Sequence, residues 1–183
     1  WYHPHHHHAT AIQAGGGAAG ILIVDDPEGY VPTEYASMPE HIMFISGHNL
    51  ASLSDIAQSA QSSILEGALN AANTANLDAN VFFVNGQALP TVTLESHTWS
   101  RFRMAYAAVE QGLQLQVTGD ATCTMKLLAK DGIYLTDLPR DITTVVLFPG
   151  ARADVAISCT CATYPCTGML ASNANRRLQG GPG

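Results

Sequence analysis

Apolar and polar positions along this chain change period near residue 80. Before that point, Ile21-Leu22-Ile23-Val24 is a short β-branched run between Gly20 and the turn signal Asp25-Asp26-Pro27, which predicts a buried strand. His41 to Ser46 predicts the first strand of a following unit. Between Ser52 and about Ala72, Leu53, Ile56, Ala57, Ala60, Ile64 and Ala68 recur at helical spacing, and Ser52 with Asp55 forms a capping box, so one amphipathic helix is expected there. From Asn80 onward the pattern becomes one of short strands. Val81 to Val84 runs into the tight-turn pair Asn85-Gly86. Ser100 to Tyr106 alternates Phe102, Met104 and Tyr106 with Arg101, Arg103 and Ala105, and Leu113, Leu115 and Val117 alternate with Gln114 and Gln116. Lys126 to Lys130, Ile133 to Leu135, Thr143 to Phe148 and Ala153 to Ser158 add further strands, divided by Asp131-Gly132, Leu138-Pro139 and Pro149-Gly150. Period two buries one face of each strand, and many short strands at this spacing predict a mainly β sandwich or barrel.

Pro27 to Pro39 is punctuated by Pro and Gly, as a connection between two units would be. Residues 1–27 are accordingly read as the last strands of a first domain, 28–165 as a second domain, and 166–183 as a linker or truncated end. Ala171 to Gly183 is polar, aperiodic and closes on Gln-Gly-Gly-Pro-Gly.

Composition narrows the function classes. A formal charge of −7 over 183 residues speaks against nucleic acid as a partner and against attraction to anionic membranes. With 46% hydrophobic and 13% charged residues the chain should pack a core, yet it holds no apolar run long enough to span a bilayer. It begins at Trp1 without an initiator Met or a leader, and is read as a fragment or processed form. Cys123, Cys159, Cys161 and Cys166 allow two disulfides or plain thiols. Their spacing does not match zinc pairs, and the balance leans towards an oxidising compartment. Gly15-Gly16-Gly17 reads as a loop rather than a phosphate cradle, because no Lys-Ser/Thr follows and the strand comes after the glycines.

The chemistry concentrates in Trp1-Tyr2-His3-Pro4-His5-His6-His7-His8. In an extended chain, residues two apart share a face about 7 Å apart, so His3, His5 and His7 line one side. That spacing suits two neighbouring ions, each taking one imidazole, better than chelation of one. Copper(II) heads the affinity order for imidazole. Pro4 removes a backbone donor and confines the segment to a sheet edge or an irregular stretch.

The aromatic-His-Pro-His-x-His opening, followed by Gln13, Gly17, Ala19-Gly20 and an apolar run ending in acids, resembles the second copper motif of the multicopper oxidases. It is most similar to the copper-efflux version, with about ten positions agreeing over some twenty-six residues. Downstream, Phe83-Val84-Asn85-Gly86-Gln87 with Pro90, Arg101-Phe102-Arg103-Met104, Ala129-Lys130-Asp131-Gly132 and Pro149-Gly150-Ala151-Arg152-Ala153-Asp154-Val155 resemble, in this order, signatures of the family's second, copper-free domain. The resemblance covers residues 1 to about 158.

The resemblance implies a cupredoxin-like Greek-key β-sandwich or barrel with one short inserted helix at about 52–72. It also implies a piece of an enzyme that couples one-electron oxidation of a substrate to four-electron reduction of dioxygen to water. His3 and His5 match the two histidines that each bind a different copper of the type 3 pair, part of a trinuclear cluster completed by cupredoxin domains outside this stretch. Each would use one ring nitrogen on copper while the other is held by a supporting acceptor. His7 matches a supporting histidine, and His8 stands where the family has Gly. His6, His41, His48 and His97 match no ligand motif and are expected to be surface or ordinary core residues. The family's His-x-His-Gly and His-Cys-His motifs are absent from this stretch, so the segment alone is expected to be inactive. Arg152 and Asp154 are read as a strand-end pair supporting the fold, on the reasoning that alternating charges on a strand face water. The expected partners are dioxygen and a reducing substrate that is a phenol, a pigment or a metal ion, and the expected location is extracellular or periplasmic. The competing reading is a stand-alone cupredoxin-type copper-binding or scaffold module without oxidase activity.

Overall fold

The computed structural model describes residues 1–49, 80–108 and 112–172; the helix expected at about 52–72 lies outside the described residues. Ten strands and two short helices occur among the residues described. The strands are β1 (Glu40–Asn49), β2 (Asn80–Val84), β3 (Ser100–Ala107), β4 (Leu113–Gly119), β5 (Thr122–Lys130), β6 (Ile133–Tyr134), β7 (Arg140–Ile142), β8 (Val145–Leu147), β9 (Arg152–Thr160) and β10 (Gly168–Ser172). The helices are α1 (Thr10–Gly15) and α2 (Thr33–Ala36). Every strand expected from residue 41 onward is present. Two more, β7 and β10, form where no alternation marked them, β10 within the stretch read as linker.

The strands make two sheets. The larger runs β2-β1-β3-β9-β5-β6 with β7 also on β5, and the smaller runs β10-β4-β8. All pairings are antiparallel except β1 with β3. Alternation does the packing: Phe102, Met104 and Tyr106 of β3 and Ala153, Val155 and Ile157 of β9 turn to the same side. There they meet Leu113 and Leu115 of β4 and Val145 and Leu147 of β8 in one core between the sheets. Burying Leu113, Leu147 or Val155, each almost fully enclosed, stabilises the fold by about 1.5–3 kcal/mol per side chain. Asn85-Gly86 and Asp131-Gly132 both take positive φ through the pair, the geometry of tight turns that match strand twist. Asn85 also ties its turn to the sheet, its amide donating to the Ile42 carbonyl and its side-chain oxygen accepting from Phe44 N–H.

The opposite face of the large sheet is covered by the connection from residue 27 to 39. Val31 and Tyr35, the latter on α2, are buried against Leu128 and Ala156, with Met38, Trp99, Tyr134 and Leu138 around them. Leu128 faces this side by alternation with Leu127, and a bulge between Leu127 and Ala129 then shifts the register so that Ala129 pairs with Asp154. The stretch Pro27 to Pro39 therefore lies packed along the sheet. Both cysteine pairs are oxidised: Cys123 with Cys159, which face one another across β5 and β9, and Cys161 with Cys166.

Ile21 to Val24, expected as a buried strand, is neither. It has no ladder, and Leu22 and Val24 are 69% and 78% exposed. The run is β-branched and apolar, which favours an extended backbone. A strand also needs a neighbour to accept its hydrogen bonds, and among the described residues only Gly20, at its edge, finds one.

Candidate metal centre

The His-rich segment is held by one backbone pairing and a closed loop. Tyr2 N–H donates to Gly20 O at 2.9 Å and Gly20 N–H donates back to Tyr2 O at 3.0 Å. A β-carbon at Gly20 would lie 2.4 Å from the Tyr2 hydroxyl oxygen, so any larger residue there would have to displace the exposed Tyr2 ring. Between these two anchors the chain runs outward through His7 and reverses at His8. It then re-enters through α1, whose first turn is tied back by Thr10, with both its amide and its hydroxyl donating to His6 O.

Alternation places Trp1, His3, His5 and His7 in a row. The Trp1 indole stacks on His3 with centroids 4.3 Å apart and planes 19° apart; His3 and His5 are 5.6 Å apart at 49°, and His5 and His7 are 6.2 Å apart at 73°. His3 is half-buried, while His5 and His7 are exposed. His3 Nδ1 lies 2.9 Å from the Pro4 carbonyl oxygen. A carbonyl only accepts, so Nδ1 carries the proton and Nε2 presents its lone pair. That is the tautomer a metal-binding imidazole needs, and here it is fixed by the carbonyl of the next residue. Among the described residues no group of three or more His, Cys, Asp or Glu gathers to hold a metal, so His3 and His5 form an incomplete donor set of the right chemistry for copper.

The remaining histidines go where isolated histidines usually go. His6 is exposed, its Nδ1 donating to His7 O, and His97 sits exposed in a left-handed turn. His41 packs on Phe102 with centroids 4.8 Å apart. His48 meets Phe83 edge-on, and burial holds its pKa below the ordinary imidazole range.

Beyond Val24 the same segment is fastened to the outer face of the large sheet by a cluster centred on Arg101. Arg101 is 6% exposed; its Nε donates to Asp154 Oδ2 at 3.0 Å, its Nη2 donates to the same oxygen and to the Tyr134 hydroxyl at 2.7 Å, and its Nη1 lies 3.8 Å from Asp26. Tyr134 passes the connection on, its hydroxyl donating to Asp26 Oδ2. Burial, then the bond to Asp26, pushes the Tyr134 phenol up to about 12, against the pull of the Arg101 charge. Arg103 adds contacts to Glu40 at 3.3 Å and Asp154 at 3.5 Å.

This corrects the reading of Arg152 and Asp154 as a mutual pair on a water-facing side. Asp154 belongs to Arg101 and Arg103, while Arg152 pairs with Asp131 at 3.5 Å and donates to Gly150 O. The face they share is covered by residues 25–40, so its charges are partly withdrawn from solvent. Arg101 was missed as a key residue. The available signal was Asp25-Asp26 ahead of a connecting segment and two alternating arginines on β3, two sets of charges in search of each other.

A scan against protein-family models finds no match, and neither does a search of the curated proteins. Solved structures do match. A multicopper oxidase from Pseudomonas parafulva is 24% identical with a TM-score of 0.62, over 92% of this chain and 37% of that one. The 2F4 variant of the McoA multicopper oxidase from Aquifex aeolicus is 16% identical with a TM-score of 0.63, over 93% and 35%. A metallo-oxidase from Campylobacter jejuni is 20% identical with a TM-score of 0.60, over 86% and 30%. This chain spans between 25% and 37% of the multicopper oxidases it matches. At these identities the likeness establishes architecture: the chain folds as a segment of a multicopper oxidase does.

Proposed function

We propose that this chain is part of a multicopper oxidase, and that it supplies His3 and His5 to the type 3 copper pair of a trinuclear cluster, one imidazole to each ion. The observation that carries this is the His3 ring. Its Nδ1 is committed to the Pro4 carbonyl, and its centroid lies 5.6 Å from that of His5, so two neighbouring imidazoles stand ready to serve two ions. Pro4 lacks an amide hydrogen and fixes its own φ, which holds the carbonyl that orients His3.

Bound copper would supply one-electron uptake from a phenol, pigment or metal ion and the reduction of dioxygen. The remaining ligands would come from cupredoxin domains outside these residues. The residues here have three tasks: His3 and His5 bind, Pro4 orients, and the cluster of Asp26, Arg101, Tyr134 and Asp154 secures the segment to the sheet. Two disulfides fit an extracellular or periplasmic setting. No helix among the described residues is long and apolar enough to cross a membrane.

The test is copper stoichiometry in the full-length protein. Loss of residues that merely support a ligand costs roughly 10- to 100-fold in metal affinity, so His3→Ala and His5→Ala should each cost at least that and abolish most oxidase activity. His6→Ala should leave copper content unchanged. Equal dependence on all five N-terminal histidines, with copper bound by this segment alone and no oxidase activity, would point instead to a stand-alone copper-binding module.

A further inference from the structure

We infer that Trp1 and the turn at Pro149-Gly150-Ala151 form a brace that sets the orientation of the His3 ring; its bearing on copper rests on His3 being a ligand, as proposed above. One hydrogen bond to the neighbouring Pro4 carbonyl fixes the His3 tautomer but leaves the ring free to tilt about that contact. A second restraint comes from the nearly parallel Trp1 indole, 4.3 Å away between centroids. His5, exposed and without a ring hydrogen bond among the described residues, has no comparable support.

The indole in turn rests on the second unit. A β-carbon built on Gly150 would lie 3.6 Å from both Cζ2 and Nε1 of Trp1, so the turn stands within about one methyl group of the ring and bounds its movement on that side. Gly150 has a φ of +82°, a conformation that a residue with a β-carbon adopts only under strain. The turn is itself immobilised on β3. Gly150 N–H donates to Tyr106 O at 2.8 Å, Tyr106 N–H donates to Ala151 O at 3.0 Å, and Ala151 N–H donates to Phe148 O at 2.8 Å. Arg152 Nη1 donates to Gly150 O at 2.9 Å. Tyr106 is wholly buried in the core. A line of neighbours thus runs from the sandwich core through the turn, past the indole that it bounds, to the imidazole. Trp1 is a positioning residue in this scheme, touching the ligand and not the ion.

The experiment compares Trp1→Leu, Trp1→Phe and Gly150→Val in the full-length protein with histidines selectively labelled for NMR. In the metal-free state, Trp1→Leu should abolish the ring-current displacement of the His3 resonances and leave those of His41 and His48 in place. Trp1→Phe should restore most of it, and Gly150→Val, by pushing the indole away, should reproduce the loss. With copper(II) as the probe, Trp1→Leu should weaken affinity about tenfold and Trp1→Phe should recover it. Unmoved His3 resonances in Trp1→Leu would overturn the brace, and so would moved resonances with unchanged copper affinity while His3→Ala still lowers it. If His3→Ala itself leaves copper binding intact, the functional reading fails, while the metal-free spectra still decide whether the brace exists.

Discussion

His8 takes a φ of +69°, in the left-handed region where a β-carbon crowds the backbone. The strain follows from its position: the row of imidazoles must stop after His7 and the chain must reverse to enter α1, and His8 makes the reversal. The resemblance to the multicopper-oxidase motif implies Gly at this place, and the backbone at His8 is glycine-like without the glycine. Left-handed geometry costs an ordinary residue about 1–2 kcal/mol, and glycine recovers part of this against its greater freedom in the unfolded chain. His8→Gly is therefore expected to raise stability by roughly 0.5–1 kcal/mol, measured by chemical denaturation. Copper content of the full-length protein should not change. The sequence revealed which histidines could share a face, because alternation is a property of the chain itself. It did not reveal the His3 tautomer, which depends on where one carbonyl points.

The strands of the large sheet show where alternation stops being informative. Period two correctly grouped Phe102, Met104 and Tyr106 against Arg101 and Arg103. It identifies residues that share a face and is silent on what that face meets. Here the face meets residues 25–40, so Arg101 is enclosed with Asp154, Tyr134 and Asp26 instead of being solvated. The same ambiguity misled the reading of Ile21 to Val24: propensity favours extension, while pairing depends on a neighbouring edge. Removing one member of an enclosed ion pair leaves the other charge without compensation, which typically costs about 3–5 kcal/mol. Arg101→Met should destabilise the chain by that order in urea unfolding. Arg140→Met, which breaks only an exposed pair with Asp137, should leave the urea midpoint nearly unchanged.

At the scale of the molecule, turns carried most of the legible information. Asn85-Gly86, Asp131-Gly132 and Pro149-Gly150 divide the strands where the sequence placed the divisions, because glycine and asparagine announce left-handed backbone directly. The disulfide pairing was illegible for the opposite reason. Cys123 and Cys159 become neighbours only through the β5–β9 register, fixed by packing along both strands. They are 36 residues apart in sequence, so opening the bond in a Cys123→Ala/Cys159→Ala variant should cost about 3–4 kcal/mol through the freed unfolded chain. Denaturation midpoints of this variant and the unaltered chain, both without reductant so that Cys161–Cys166 stays closed, would measure it.

The approach of Gly150 to Trp1 brings together positions separated by most of the chain described. Closing so long a span is entropically expensive until the intervening strands have already condensed. Synthesis delivers the imidazoles well before the turn that steadies them. Until the sandwich has formed, His3 has only its local restraints from Pro4 and Trp1. Under the proposed copper role, the fully braced site would be ready for metal only once that turn is in place.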